Sequence, residues 1–342
     1  MTTYKGINGF AVQSVASDPS PLDEGQVWYN NATYAFKVAA LGTVAGSWAS
    51  GGNMNTARNT LGGAGTQTAA LAFSGTTDPS TGTKTDATEE YDGTSWTSGG
   101  NYPATVDQLG GLGTQTAAVG AGGYNPAGSG QNATNNYNGT SWTSSGSLPT
   151  PSGSGVGCGT QTAGLLISGT KPQGPAPYYL NTSLLYSGSA WTTAAGTLGS
   201  GGYGGAGGGS GQTNALITAR AGDIYPATNN VETYNGTTWT AGGVTPTNLL
   251  FAGASKDESK TAMIVFGGRI PTPNALTAST IQYNGSTWSS LAPLSTARQG
   301  IGGVGTQSSA LAFGGTTPST TAATEEWTGP SPAVQAKTIT TS

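Results

Sequence analysis

The sequence predicts an all-β protein built from six repeated four-stranded units. Three observations predict it. A Tyr-(Asp/Asn/Ser)-Gly-x-x-Trp motif recurs as Tyr91–Trp96, Tyr137–Trp142, Tyr186–Trp191, Tyr234–Trp239 and Tyr283–Trp288. The tryptophans at 48, 96, 142, 191, 239 and 288 stand 46 to 49 residues apart, a period too long for a coiled coil and suited to one four-stranded propeller blade. Glycine accounts for 58 of 342 residues, and no stretch keeps a 3.6-residue apolar stripe, so long helices are not expected. Aromatics that recur in phase also argue against disorder in so glycine-rich a chain.

Each element follows in order. Residues 1–45 do not match the repeat. Within them Glu24–Val38 alternates about Asn30-Asn31 and carries flanking aromatics, which predicts a hairpin with one packed face. The repeats occupy 46–329. In the first complete one, strand a is Leu61–Gly65, strand b is Gln67–Phe73, and a loop runs from Thr76 to about Asp86. Strand c is Thr88–Tyr91, and strand d opens at Thr94–Trp96. Between c and d stands a turn pair: Asp92-Gly93, Asn138-Gly139, Ser187-Gly188, Asn235-Gly236, Asn284-Gly285 or Thr328-Gly329. Such pairs suit a two-residue type I′ hairpin, which would set Tyr91 opposite Thr94 and Trp96 on the diagonal. Trp48, Trp96, Trp142, Trp191, Trp239 and Trp288 are then the blade anchors, each worth roughly 3 kcal/mol if buried.

Glycines concentrate where strand a would fall: Gly62-Gly63, Gly110-Gly111, Gly155 with Gly157, Gly204-Gly205 and Gly302-Gly303, with Ala252-Gly253-Ala254 in the remaining repeat. Glycine weakens a strand, so its recurrence there implies close backbone approach around a central axis. Trp48 has no upstream Tyr, and Trp327 holds the Tyr position with no Trp after it. The N-terminal strand is therefore expected to complete the last blade and close the ring, removing free sheet edges. Residues 330–342 lack the repeat and are expected to form a flexible tail, or to lend Lys337–Thr341 as a strand to a neighbouring subunit.

The diglycine ending strand b (Gly122-Gly123, Gly267-Gly268, Gly314-Gly315), followed by Tyr and then Trp, resembles the kelch repeat over about residues 46–329. Arg58 and Arg298 match the basic residue that follows the Trp in many kelch repeats. Ser74-Gly75, Ser168-Gly169 and Thr218-Ala219 depart from the diglycine. The resemblance implies a six-bladed propeller and is silent on activity. Residues 24–38 further resemble a short hairpin module near the N-termini of bacteriophage tail and fibre proteins. The runs at 65–73 and 305–313 resemble kelch-like proteins of marine phages. These resemblances imply a non-enzymatic virion structural protein (a tail fibre, spike or surface-decorating component) assembled in the host bacterial cytoplasm. They imply attachment to other virion proteins through residues 1–45, and leave a homo-oligomer open.

Composition excludes several classes. The net charge is −4, and the eleven Lys and Arg do not cluster, so neither nucleic-acid binding nor attraction to an anionic membrane has an electrostatic footprint. No run approaches 18 apolar residues, so no membrane insertion is expected. The N-terminus lacks the apolar core of a secretory signal. The chain has no histidine, which removes Ser-His-Asp and Cys-His catalysis, His-ligated zinc, and the copper site of galactose-oxidase propellers. The single cysteine, Cys158, lies between two glycines and reads as a buried strand residue. No cofactor and no metal is expected. Glu89-Glu90, Glu325-Glu326 and Asp257-Glu258 are the carboxylate pairs a glycosidase would need. Adjacent strand residues point to opposite faces, so each pair reads as structural.

The loops from strand b to strand c remain, at about 75–87, 122–134, 169–182, 219–230, 267–279 and 315–323. They hold Tyr124, Tyr178, Tyr179, Arg220, Asp223, Tyr225 and Arg269, the candidate ligand-facing residues. Tyrosines on a rigid scaffold can stack on sugars or anchor a partner; they can equally pack the loops. Arg58 and Arg298 are expected near the channel mouth, satisfying backbone carbonyls. The rival readings are a lectin-like module that binds a host surface glycan, and a carbohydrate-active enzyme.

Overall fold

The structure is a computed structural model and describes residues 12–171, 178–222, 229–256 and 259–340. Strands and turns make up the described residues, with no helix among them. The chain divides into two compact units, Ser47–Gly329 and a second that joins Met1–Gly46 to Pro330–Ser342.

The larger unit is built on six four-stranded antiparallel sheets in an all-β, propeller-like arrangement, with two small two-stranded sheets, Thr76–Asp78 with Thr83–Lys84 and Arg269–Ile270 with Ala275–Leu276, in its loops. Sheet I holds Gly62–Gly65, Ala70–Phe73, Thr88–Tyr91 and Trp96–Ser98 as strands a to d. Sheet II holds Gly110–Thr114, Ala117–Ala121, Thr134–Tyr137 and Trp142–Ser145; sheet III holds Val156–Thr160, Ala163–Ile167, Ser183–Tyr186 and Trp191–Thr193. Sheet IV holds Ala206–Gly211, Asn214–Thr218, Asn230–Tyr234 and Trp239–Val244; sheet V holds Gly253–Ala254, Met263–Phe266, Thr280–Tyr283 and Trp288–Leu291. Sheet VI takes a to c from Gly302–Gly305, Ser309–Phe313 and Thr324–Thr328, and strand d from Ser47–Ser50 at the other end of the unit. There Trp48 pairs with Trp327, the rings 5.4 Å apart.

Each strand a lies against the next, and that of sheet VI lies against that of sheet I. A Cβ on Gly111 would stand 2.7 Å from the backbone of Gly63, and one on Gly303 2.6 Å from that of Ala254. Neighbouring backbones touch, so the glycines of strand a are a steric requirement.

The turn between c and d is longer than the dipeptide suggests. Tyr91 pairs with Trp96 itself, and the other four complete motifs do the same. Gly93 has φ of 91°, whereas Asp92 is not in the left-handed region. The Asp92 carboxylate instead accepts from the backbone N–H of Thr94 and Ser95, each at 2.8 Å. Asn138, Asn235 and Asn284 repeat this bond pattern. The short polar side chain folds a four-residue turn where a type I′ turn was expected. As a result Tyr and Trp rings lie side by side across the strands, tilted by 26° to 39° with centroids 4.7 to 5.0 Å apart.

The core lies between sheets. Its apolar clusters each combine residues of two successive sheets, as where Phe313 and Leu311 of VI meet Tyr91 and Trp96 of I. Two polar ladders accompany it. The indole N–H groups of Trp48, Trp96, Trp142 and Trp191 donate to the threonine that opens strand c of the preceding sheet: Thr280, Thr324, Thr88 and Thr134, at 2.9 to 3.0 Å. Val231 holds that place before Trp288, and the Trp288 indole nitrogen has no acceptor. Gln67, Gln115, Gln161, Gln212 and Gln307 each donate to two backbone carbonyls of the preceding sheet. In the sixth place Lys260 donates to the Tyr234 carbonyl at 3.3 Å.

The smaller unit is one four-stranded sheet. Val27–Asn30 and Ala35–Val44 form the expected hairpin, and Gln13–Val15 joins it in parallel. Trp28 is fully buried there. Its indole donates to Asp18, which also receives Asn30 and Lys37 at 2.8 Å each. Those hydrogen bonds, Lys37 first, hold the Asp18 carboxyl below the ordinary carboxylate range. Ser331–Thr338 pairs antiparallel with Ala35–Val44 across eight register positions. The C-terminal segment is therefore a strand of its own chain, neither a loose tail nor one lent to a neighbour; eight ladder positions give the backbone groups partners that a tail would leave to water.

Candidate functional site

Three buried arginine–glutamate pairs stand in the larger unit. Arg58 and Arg298 are fully buried and pair with Glu89 at 3.2 Å and Glu325 at 2.9 Å. Arg58 also donates to the carbonyls of Ala87 and Ala72, and Arg298 to those of Gly314 and Ala323. Glu89 accepts the backbone N–H groups of Asn55 and Thr56, and Glu325 that of Ser295. Burial pulls the Arg58 guanidinium down to about 10, with Glu89 opposing, so it stays charged at neutral pH. Both arginines thus satisfy backbone carbonyls, and each is held beside a carboxylate of its own sheet.

Arg220 departs from its expected place. It is not ligand-facing: it is 1% exposed and paired with Glu232. The strand register shows that the residues in place of the diglycine are Ala219-Arg220 rather than Thr218-Ala219, with Ala219 itself in the left-handed region at φ 56°. The Arg220 stem fills the space over Gly202, whose added Cβ would stand 2.9 Å from Arg220 Cδ. Gly202 holds the position that is arginine at 58 and 298. The cation has moved one segment along the chain and still meets the same strand-c carboxylate position.

Across the six repeats that strand-c position reads Glu89, Asn135, Leu184, Glu232, Ile281 and Glu325. The segment facing it reads Arg58, Val106, Ser152, Gly202, Leu249 and Arg298. Every glutamate has an arginine, and at one junction that lacks both, Leu249 and Ile281 join an apolar cluster instead. The neighbouring carboxylates Glu90 and Glu326 face the other way and accept the hydroxyls of Tyr137 and Tyr91. Asp257-Glu258 lies outside the described residues.

The segments entering strand a share a second feature. Thr60, Gln108, Ser154, Gly204, Phe251 and Gly300 all adopt the left-handed region, with φ from 48° to 64°. The amide of Gln108 donates to Thr60, Ser154 to Gln108, Phe251 to Gly204, Gly300 to Phe251 and Thr60 to Gly300, at 2.6 to 2.8 Å. Beyond them Lys256 Nζ reaches the carbonyls of Gly63 and Gly111 at 3.1 and 3.0 Å, stitching sheet V to sheets I and II across the inner strands.

Beside these segments lies a cleft of about 340 Å³ whose walls come from sheets I to IV and include Lys84, Asp107, Tyr124, Thr170, Tyr179 and Tyr203. Tyr179 and Tyr203 stack at 5.5 Å and 16°. Tyr203 leans on Phe251 at 5.8 Å, and the Arg269 guanidinium sits 5.9 Å over Phe251. The Tyr124 hydroxyl bonds to Thr170, and its ring covers Gly153, where a Cβ would come within 2.2 Å. Lys84 pairs with Asp107, which also accepts the Thr76 hydroxyl at 2.8 Å. Tyr178, next along the loop, is 51% exposed. The structure therefore brings Tyr124 and Tyr179 together, sets Tyr178 beside them, and leaves Arg269 farther along the aromatic row. Asp223 and Tyr225 lie outside the described residues.

Sequence reasoning missed Lys84, Asp107 and Tyr203. The available signal was departure from the repeat. Bridge pairs equate Asp107 and Tyr203 with Asn59, Gly153, Leu250 and Gln299, and Tyr124 with Thr76, Thr170, Ala221, Arg269 and Thr316.

No protein-family model matches the chain, and no curated protein matches it. Among solved structures, one titled "Structure of YjhT" aligns with a TM-score of 0.64 at 16% identity, covering 82% of this chain and 99% of that one. At that identity the likeness speaks for the fold alone, and what the two chains share is an all-β, propeller-like architecture.

Proposed function

We propose that the chain is a six-bladed, kelch-like β-propeller closed by Ser47–Ser50, carried on a phage particle as a non-enzymatic structural component whose loop end meets the host surface. Two bonds support the closed ring: Trp96 and Gln67 of sheet I reach sheet VI just as their counterparts reach the sheets before them. The observation that carries the binding role is the tyrosine-walled cleft on a scaffold whose nearby carboxylates are already engaged. Glu89, Glu232 and Glu325 hold arginines, Glu90 and Glu326 hold tyrosines, and Asp107 holds Lys84. Recruiting any of them to acid–base work would break a packing bond.

The virion assignment rests on the resemblance of residues 24–38 to phage tail and fibre modules. In this reading the terminal sheet, with residues 1–45, attaches the ring to other virion proteins. Mass spectrometry of purified particles tests it: the chain is expected in structural copy number, and its absence, with its gene among metabolic genes, contradicts the assignment. Soluble protein is expected to compete with particles for adsorption to host cells. A lectin-like module without a virion is the second reading, favoured by the same cleft, and it predicts glycan binding with no trace of the chain in particles.

A further inference from the structure

We propose that the cleft walled by Tyr124, Tyr179, Tyr203 and the Lys84–Asp107 pair holds one neutral hexopyranose unit of a surface polysaccharide. This rests on the binding role proposed above and adds both the place and the ligand class. The first argument is the broken repeat. Equivalent positions in the sheets meet the same packing demands, and Thr76, Thr170 and Thr316 meet them with a small hydroxyl side chain. Between sheets VI and I, Asn59 and Thr316 close the corresponding gap with a direct hydrogen bond. The scaffold thus does not require a tyrosine at 124 or at 203. Gly153 strengthens the point, because any side chain there would collide with the Tyr124 ring. One repeat has given up its side chain so that its neighbour can lay an aromatic ring across the junction.

The second argument is chemical. A pyranose has an apolar C–H face and an edge of hydroxyls. The stacked Tyr179–Tyr203 pair forms a flat apolar wall, the kind of surface on which such a face packs. Lys84 and Asp107 set one donor and one acceptor in the same cleft, matching a hydroxyl edge. Their charges cancel, and Arg269 lies beyond Phe251, so neither the pair nor Arg269 sets a cation against the ring to select an acidic sugar. A volume near 340 Å³ is at the small end of ligand pockets, which run from about 300 to 1,000 Å³. That admits a single ring with its chain continuing outside.

The test is an array of neutral and of uronate- or sialate-bearing bacterial oligosaccharides probed with the full chain, followed by titration of the best neutral one. Tyr179→Ala and Tyr203→Ala are each expected to weaken binding at least about tenfold, a loss typical of truncating an aromatic anchor. Tyr179→Phe is expected to retain binding, and Ser319→Ala, on the opposite b–c loop, to leave it unchanged. Thermal melting shows which variants fold; should Tyr203→Ala not fold, Tyr179→Ala at the half-exposed rim carries the test. Neutral-glycan binding indifferent to Tyr179→Ala overturns the cleft while leaving the binding role standing. Binding confined to acidic sugars overturns the ligand class. No glycan binding by a chain that still blocks adsorption overturns the sugar and keeps the binding role, and failure to block adsorption as well overturns both.

Discussion

At the scale of the residue, the three arginine–glutamate pairs carry the clearest energetic consequences. Both partners of the Arg298–Glu325 pair are buried, so removing one leaves an uncompensated charge. Glu325→Gln is expected to destabilise by about 3 kcal/mol or more, read by chemical denaturation. The Leu249–Ile281 junction shows that the fold also accepts an apolar pair at this place. Arg298→Leu combined with Glu325→Ile is therefore expected to recover at least half of that loss, as replaced buried pairs commonly do. Val231→Thr would give the Trp288 indole the acceptor that Thr88 gives Trp142, a gain of about 1 kcal/mol, measured as a raised melting temperature. Tyrosines set the alkaline limit. Burial, aided by Glu326, raises the Tyr91 phenol to about 12, and burial alone raises Tyr102 to about 12. The folded state keeps these protons where the unfolded chain, with its ordinary value of 10.0, has lost them. Their contribution is thus whole below pH 10 and is lost as the pH rises towards 12. Phenolate absorbance and melting followed together across that window should change in step.

At the scale of the element, much was legible and some was not. Strands a to d, the glycine of strand a and the N-terminal hairpin follow from periodicity and turn residues alone. The turn length did not. Asn-Gly is compatible with two-residue and four-residue turns, and the choice depends on whether the Asn side chain caps the backbone, as Asn138 does for Thr140 and Ser141. Asn138→Ala is expected to cost about 1 kcal/mol in stability and to loosen the Tyr137–Trp142 contact, visible in near-ultraviolet circular dichroism. The C-terminal strand was illegible for another reason. Its partner, Ala35–Val44, lies some three hundred residues away in sequence, and neither segment belongs to the repeat that reveals the other pairings. Hydrogen exchange should show residues 331–338 protected, and deletion of 331–342 should remove protection from Ala35–Val44. The cleft residues fell between these cases: Tyr124 and Tyr179 stand out as loop aromatics, whereas Lys84 and Asp107 look like ordinary surface charges until the strands bring them together.

At the scale of the whole molecule, one repeated interface explains the composition. Four sheets offer the neighbour a tryptophan N–H and five a glutamine amide, and the inner strands meet backbone to backbone at glycine. Few charges are needed, because packing and backbone hydrogen bonds do the joining, and those that are buried come in pairs. The proposed ring depends on the two ends of the larger unit meeting in one sheet. Ser47 and Thr328 are exposed cross-strand partners, while the native Cys158 is buried. The direct measurement is oxidation of the Ser47→Cys, Thr328→Cys double variant, with the crosslink mapped by peptide mass spectrometry. The account predicts a rapid bond within one chain and a higher melting temperature; thiols that stay reduced, or that join only between chains, would contradict it.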